Sequence, residues 1–152
     1  MALEYDFENS IGCWLMMASH DYQQAINEEL APQGVTYRQC QVLGTLAMGG
    51  PLSQAELAAR LGIEPPTLVG ILDRMERDGW IRRVACADDR RRKLIHATKS
   101  AEPIWSTITA AAKRLRARAI QGLTSDELNQ LKDLLERVRQ NLATPLVVAE
   151  TR

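Results

Sequence analysis

Six positively charged residues lie close together near the middle of the chain, on two short β-like runs joined by a polar turn. They are Arg82, Arg83, Arg90, Arg91, Arg92 and Lys93. Asp89 stands two residues before Arg91, a spacing that lets a carboxylate hold a guanidinium in one orientation. An arginine held in this way can enter a narrow, A·T-rich minor groove without losing much rotamer entropy. A solvated charge run is the alternative interpretation, and the helices predicted upstream favour DNA binding.

Four helices are predicted before this basic segment. Apolar residues at steps of three and four predict a long first helix over residues 7–31. Capping boxes at Thr36 and Ser53 open the second and third helices. The fourth helix begins at the pair Pro65 and Pro66, where a missing N–H costs little, and ends at Gly79.

Two strands and two further helices are predicted in the second half of the chain. The strands cover residues 80–86 and 92–97 and form the basic hairpin. After Thr98 a helix runs to about Gln121, and a third capping box at Thr124 opens the last helix. The order α-α-α-α-β-β-α-α predicts a mainly α fold with a small β-hairpin, the arrangement of a winged helix-turn-helix.

The first and last helices carry long apolar stripes that a chain of 152 residues would struggle to cover alone. We therefore predict a homodimer, with a helical dimerisation region built from residues 1–34 and 99–152. The winged helix-turn-helix DNA-binding domain is predicted at residues 35–98, so that two copies would meet two half-sites. An intramolecular three-helix cluster is the alternative.

The charge distribution fits a DNA partner better than the net charge of zero does. The first 37 residues contain six acids and no Lys or Arg, so all 19 basic residues lie from Arg38 onward. Phosphate contacts depend on local clusters rather than on totals, so a neutral chain can still present a basic face.

Other classes of protein are disfavoured by what the sequence contains. Three cysteines without a Cys-x-x-Cys pair indicate neither a disulfide framework nor a metal site, and no cofactor is predicted. Neither a Ser/His/Asp set, a glycine-rich phosphate loop nor a pair of carboxylates stands out, so we do not expect an enzyme. The sequence has no membrane-span or signal-peptide pattern, and a cytoplasmic location is expected.

From Ile63 to Ile104 the chain resembles the MarR family of bacterial transcriptional regulators, most closely its SlyA-like branch. The matching segments are Ile63-Glu-x-Pro66-Thr67-Leu-Val, Leu72-Asp73, Gly79-Trp-Ile81-x-Arg83, Cys86-Ala-x-Asp89-Arg-Arg91 and Ala101-Glu-Pro-Ile104. The resemblance implies a dimeric winged-helix DNA binder, usually a repressor or an antagonist of other repressors. Such proteins often release their operator, here expected to be an inverted repeat, when an aromatic acid or an oxidant alters the dimer.

The resemblance also assigns roles to individual positions. Arg91 matches the wing residue that enters the minor groove, and Asp89 the residue that steadies it. Pro66 and Thr67 match the start of the recognition helix, where a hydroxyl and small apolar groups meet base edges. The predicted DNA-binding residues are Pro66, Thr67, Arg74, Asp89, Arg90, Arg91, Arg92 and Lys93.

One position departs from the SlyA-like pattern. An arginine follows Thr/Ser-Leu-Val in that branch, and this chain has Gly70. Arginine pairs bidentately with guanine for about 1–3 kcal/mol of discrimination, which glycine cannot supply. Either the operator differs or recognition depends more on the wing and on DNA shape. Arg74, one turn further on, could replace part of the contact or face a phosphate.

A ligand pocket is one candidate for the regulatory input. His20 lies close to where members of the resembled family bind salicylate-like anions. Arg38 is the natural partner of a carboxylate, because a guanidinium binds it in a two-point fork. Trp14, Met17 and Tyr37 could supply apolar walls, and each could equally be a packing residue.

A reactive cysteine is the other candidate for the input. The sequence around Cys13 resembles the peroxide-sensing OhrR branch, and Tyr37 matches a tyrosine that holds the thiolate there. Ile26 and Asn27, however, stand where OhrR has its second tyrosine. A reactive thiol needs nearby positive charge, and no Lys or Arg lies within 24 residues of Cys13. The alternative is a small core residue.

The sequence thus predicts a sequence-specific DNA-binding regulator released by a small aromatic acid. Two alternatives remain open: a hydroperoxide-sensing repressor that uses Cys13, and a helical protein–protein interaction module that does not bind DNA.

Overall fold

The computed structural model describes residues 5–86 and 93–143. Its elements are α1 (Ile11–Leu30), α2 (Tyr37–Gly49), β1 (Leu52–Ser53), α3 (Gln54–Leu61), α4 (Pro65–Arg77), β2 (Ile81–Ala85), β3 (Lys93–Ala97), α5 (Glu102–Ala119) and α6 (Ser125–Ala143). Short 3-10 turns lie at Ala31–Gln33 and Lys99–Ala101. This order confirms the predicted fold class, a mainly α chain with a small β-sheet. Within the described ranges, none of the helices has the length and apolar character that crossing a membrane requires.

The first helix begins four residues later than its hydrophobic pattern predicts. Asp6 accepts hydrogen bonds from the backbone N–H of Asn9 at 3.1 Å and from its side-chain amide at 2.8 Å. This local pairing holds the preceding residues in a turn. Ser10 then caps the helix, because its hydroxyl accepts from the N–H of Cys13. The predicted start at residue 7 is therefore wrong, and α1 starts at Ile11.

All three predicted capping boxes are confirmed. In each box, the side chain of the N-cap residue accepts the backbone N–H of the third helical residue. The side chain of that third residue accepts the backbone N–H of the N-cap residue. The pairs are Thr36 with Gln39, Ser53 with Glu56, and Thr124 with Glu127. These local exchanges satisfy backbone donors that a helix start leaves free, which is why short sequence signals locate these helix starts.

The predicted hairpin is part of a three-stranded antiparallel sheet of order β1-β3-β2. β2 pairs with β3 along its length, from Ile81 opposite Ala97 to Ala85 opposite Lys93. β1 adds Leu52 opposite Ile95 on the other edge. Sequence reasoning missed β1 because two residues are too short to show the alternation of a strand.

The core that supports α4 consists of fully buried apolar side chains. Leu68, Leu72 and Met75 on one side of this helix are each 0% exposed, as is Leu57 of α3, and Ile95 of β3 is 1% exposed. The opposite side of α4 therefore faces outward. The chain divides into two compact units, Met1–Leu115 and Arg116–Arg152; α6 belongs to the second.

Candidate nucleic-acid interface

The outward side of α4 is the surface that the fold makes available to DNA. The helix starts at Pro65 and Pro66, whose missing N–H groups would have no partner inside the helix. Its buried residues recur at steps of three and four, which leaves a continuous exposed face. The exposed residues of α4 are Pro65, Pro66, Thr67, Val69, Gly70, Asp73, Arg74 and Arg77. A helix exposed along one whole face can enter a major groove.

Three of the predicted DNA-binding residues lie on this face. Pro66 and Thr67 are exposed in the first turn, and Arg74 is exposed two turns further along. The Arg74 Nε–H donates to the carbonyl oxygen of Gly70 at 3.4 Å, so the guanidinium folds back along the helix. Thr67, Gly70 and Arg74 are spaced by three and four residues and therefore share one side of the helix. A Cβ added at Gly70 would meet nothing within 4 Å.

The wing consists of β2, β3 and the residues between them. Lys93, a predicted DNA-binding residue, is exposed at the start of β3 and pairs in register with Ala85. The predictions for Asp89, Arg90, Arg91 and Arg92 concern positions outside the described residues. The ends of β2 and β3 set where the segment between them begins and ends.

Sequence reasoning counted Arg83 among the six cations of the basic segment and gave it no specific contact. It lies in β2, and its Nη2 donates to Asp73 Oδ1 at 2.6 Å while its Nη1 donates to Glu76 Oε2. Its backbone N–H also donates to Glu76 Oε1 at 2.8 Å. The Arg83 side chain is only 18% exposed. These contacts tie the first wing strand to the outer side of α4.

The protonation states follow from this geometry. The Arg83 backbone N–H, followed by its guanidinium, lowers the pKa of Glu76 below its ordinary value. Burial alone would lower the pKa of Arg83, but the hydrogen bonds and charges of Glu76 and Asp73 outweigh it, and the pKa is raised. Both shifts favour the ionised forms of Glu76 and Arg83 near neutral pH. The available sequence signal was two acids three residues apart on α4, followed by an arginine beyond a glycine turn.

The residues predicted for a ligand pocket lie on α1 and on the first turn of α2. Trp14, Met17 and His20 follow one another at steps of three and are exposed. The Trp14 indole N–H donates to the carbonyl oxygen of Glu8 at 3.0 Å. Because His20 is six residues beyond Trp14, the three side chains extend over roughly 9 Å of the helix.

Tyr37 and Arg38 are placed beside the second half of α1. The Tyr37 backbone N–H donates to Asn27 Oδ1 at 2.9 Å. Burial, with smaller contributions from Tyr22 and Cys40, raises the pKa of the Tyr37 hydroxyl. Arg38 is exposed, and its Nη1 donates to Gln41 Oε1 at 3.0 Å. Tyr22 is thus near enough to influence the Tyr37 hydroxyl, whereas Trp14 lies eight residues before Tyr22, roughly 12 Å along α1.

Cys13 lies in the first turn of α1 and is partly buried. Its backbone N–H donates to the Ser10 hydroxyl at 3.4 Å as part of the helix cap. Cys40 and Cys86 are also partly buried, and burial raises the pKa of the Cys40 thiol. Within the described ranges, no group of His, Cys, Asp and Glu is arranged to hold a metal ion.

An apolar cavity of about 140 Å³ opens between α2 and the start of α5. Apolar cavities of roughly 150 Å³ accept a molecule the size of benzene. The lining residues are Leu43, Leu46, Ala47, Ala97, Thr98, Ala101, Glu102 and Trp105. Its size suits a single aromatic ring, while the Glu102 carboxylate would repel an acid group placed next to it.

Comparison with known proteins gives a consistent result. A sequence model of the MarR family matches residues 33–92. The crystal structure of the transcriptional regulator PA3341 is 32% identical, with a TM-score of 0.80 over 88% of this chain and 98% of that one. CouR from Rhodococcus jostii RHA1, bound to p-coumaroyl-CoA, is 28% identical, with a TM-score of 0.76 over 95% and 99%. A mutant MarR from E. coli complexed with operator DNA is 25% identical, with a TM-score of 0.79 over 90% and 99%.

The fold agrees with these structures over 88–95% of the chain. The chain belongs to the MarR family of winged helix-turn-helix transcriptional regulators.

Proposed function

We propose that this protein is a dimeric repressor that binds an inverted-repeat operator and is released by a small aromatic acid. The observation that carries the proposal is the exposed face of α4, whose other side is buried in the core. A basic segment follows this helix in the sequence. The proposed partner is double-stranded DNA. A cytoplasmic location is expected for a regulator with this partner.

The proposed contacts divide between two grooves. Pro66, Thr67 and Arg74 on α4 would face the major groove, whose base edges carry the more specific donor and acceptor pattern. The wing segment from Asp89 to Lys93 would reach the adjacent minor groove. The E. coli MarR mutant complexed with operator DNA supports DNA binding by this chain, because the chain matches it over 90% of its length.

A dimer is supported by apolar surface in each compact unit. In the first unit, large apolar side chains in and before α1 are more than half exposed: Tyr5, Phe7, Ile11, Trp14, Met16 and Met17. In the second unit, α6 has no buried residue within its described range, and it exposes Leu131, Leu134, Leu135 and Leu142. Apolar patches of this kind mark interaction sites, and a second copy would supply matching ones. The predicted extents of the dimerisation region, 1–34 and 99–152, are part of this proposal.

The proposed effector is a small aromatic carboxylate. CouR was crystallised with p-coumaroyl-CoA, a conjugate of an aromatic acid, and it matches this chain over 95% of its length. Arg38 is exposed, and its Nη1 donates to Gln41 on the same helix, so its guanidinium can turn toward a carboxylate. Trp14, Met17, His20 and Tyr37 are the other proposed contacts, completed by the dimer partner.

DNA binding is tested by mobility-shift titration against the DNA upstream of the protein's own gene. Each protomer has five predicted DNA-facing cations: Arg74, Arg90, Arg91, Arg92 and Lys93. If most of the ten in a dimer meet phosphates, affinity falls by about 10³–10⁵ between 50 and 200 mM salt. A protein–protein module would show no such binding.

A matched pair of variants locates the contact. Arg74→Ala removes one predicted DNA-facing cation, and Arg139→Ala removes an exposed cation of α6 outside the predicted DNA-binding residues. We expect Arg74→Ala to weaken binding and to reduce the salt slope, whereas Arg139→Ala leaves both unchanged. Equal effects of the two substitutions would contradict the assignment of α4 as the recognition helix.

A further inference from the structure

The two acids bound by Arg83 lie next to the helix face that is proposed to meet DNA. The Asp73 side chain is 58% exposed and precedes Arg74 in sequence, and the Glu76 side chain is 38% exposed. Carboxylates on a surface that approaches phosphates repel them. Keeping both acids on this surface therefore costs DNA-binding free energy. A structural role for the two acids would offset that loss.

Arg83 supplies the connection between these acids and the wing. It has five N–H donors in a rigid fork, which lets one guanidinium hold two carboxylates at once. A third bond, from its backbone N–H to Glu76, holds the strand itself rather than the side chain alone. The strand order places Arg83 opposite Ile95, a residue of β3 that is 1% exposed in the core. The strand β2 is thus bonded to α4 through Arg83 and paired with β3, whose Ile95 is buried in the core.

We infer that Arg83 is a positioning residue that joins the recognition helix and the wing into one rigid DNA-binding surface. It acts through Asp73 and Glu76, does not contact DNA itself, and determines whether the wing reaches the minor groove while α4 occupies the major groove. This inference rests on the proposed DNA-binding function. Two features separate Arg83 from a phosphate contact: its side chain is mostly buried, and both of its Nη atoms donate to carboxylates.

The decisive experiment changes the acids rather than the arginine. The double variant Asp73→Asn/Glu76→Gln makes each protomer more positive by two charges and keeps Arg83. If electrostatics alone governed the site, this variant would bind all DNA more tightly and keep its preference for the operator. With Arg83 as a positioning residue, the ratio of operator to non-specific affinity falls about tenfold, because the wing is no longer held.

A footprint shows which groove is lost. We expect Arg83→Gln and the double variant both to lose hydroxyl-radical protection of the minor groove beside each half-site. Methylation protection of guanines in the major groove should persist, since the buried side of α4 is untouched. Arg83→Lys keeps the charge but not the fork, and we expect it to fall between Arg83→Gln and the parent.

Asp78→Asn is the matched control. Asp78 is an exposed acid at the end of α4 that pairs with Arg77 at 3.8 Å, so the variant gains one charge without touching Arg83. It should keep the parent's footprint and affinity ratio. Melting curves for every variant check that each is folded at the assay temperature.

The outcomes separate the two levels of the proposal. A parent protein that shows no operator binding contradicts the proposed function. A parent that binds, together with a double variant that binds more tightly and keeps its minor-groove footprint, overturns the role given to Arg83. An Arg83→Gln variant that loses affinity while the double variant gains it would make Arg83 a direct phosphate contact instead.

Discussion

Replacing Gly70 tests how α4 reads DNA and separates helix stability from base contact. The residue is exposed in the interior of the helix, and a Cβ added there meets nothing within 4 Å. Gly70→Ala therefore introduces no steric cost and removes the entropic cost of glycine in a helix. We expect a stabilisation of about 0.8–1 kcal/mol, which raises the melting temperature of a chain this size by roughly 2–4 °C.

Gly70→Arg adds a guanidinium between Thr67 and Arg74 on the same side of the helix. It should bring a similar helix-propensity gain and, in addition, a bidentate pair with guanine worth about 1–3 kcal/mol. This contact corresponds to about 5–150-fold in affinity for an operator with guanine at the matching position. Gly70→Lys is the control, since an ammonium supplies the charge without the two-point fork.

Fluorescence anisotropy at fixed salt, on operators with each base pair changed in turn, measures both effects. Gly70→Arg should acquire a guanine preference at one position in each half-site, whereas Gly70→Lys should raise affinity for every duplex alike. An arginine variant without any base preference would show that position 70 does not face base edges. A Gly70→Ala variant that melts below the parent would refute the steric reasoning.

Four further outcomes are expected. Arg91→Ala should weaken operator binding by about 1–3 kcal/mol with the fold intact, as measured by titration and circular dichroism; unchanged affinity would contradict its wing role. Deleting the chain from Leu142 onward should give monomers at micromolar concentration in light scattering, because the apolar stripe of the last helix is shortened. Salicylate-like acids should raise the melting temperature and release DNA, with both effects lost in Arg38→Ala, whereas release by hydroperoxide that is lost in Cys13→Ser would support the redox alternative. Because the pKa of Glu76 is lowered, its stabilising contribution is complete above its ordinary value of 4.5 and is lost as pH falls through the lower folded value; its replacement by glutamine should flatten that decline in urea unfolding.

The parts of the fold that sequence reasoning predicted correctly depend on contacts between near neighbours. The capping box at Ser53 joins atoms only three residues apart, and Pro65 and Pro66 act on their own turn of α4. The predicted start of the first helix at residue 7 was wrong for a related reason. Its hydrophobic period continued to Phe7, but the local hydrogen bonds of Asp6 oppose a helix there. Periodicity reports which face is apolar and does not locate the first residue of a helix.

The candidate functional residues also divide into those that local sequence patterns predict and those that they do not. The exposure of Thr67 and Arg74 follows from the helical period once α4 is recognised. The resemblance of the wing segment to the MarR family was also readable from residue order alone, and the family match includes that segment. The proposed ligand-binding residues remain a prediction, since they lie on two helices, and the apolar side chains of α1 are exposed in the single chain.

The sequence by itself determined the starts of the second, third, fourth and last helices and the helix-turn-helix order, because each start is set by residues that are adjacent or within one turn. The family could also be recognised from short segments of residue order. The tertiary structure alone decided that β1 completes a three-stranded sheet and that Arg83 joins β2 to α4 through Asp73 and Glu76. These contacts close across the turn at Gly79, whose φ of 78° reverses the chain. Which acid meets which arginine beyond such a turn depends on strand register and helix packing, and neither is encoded within a single local window.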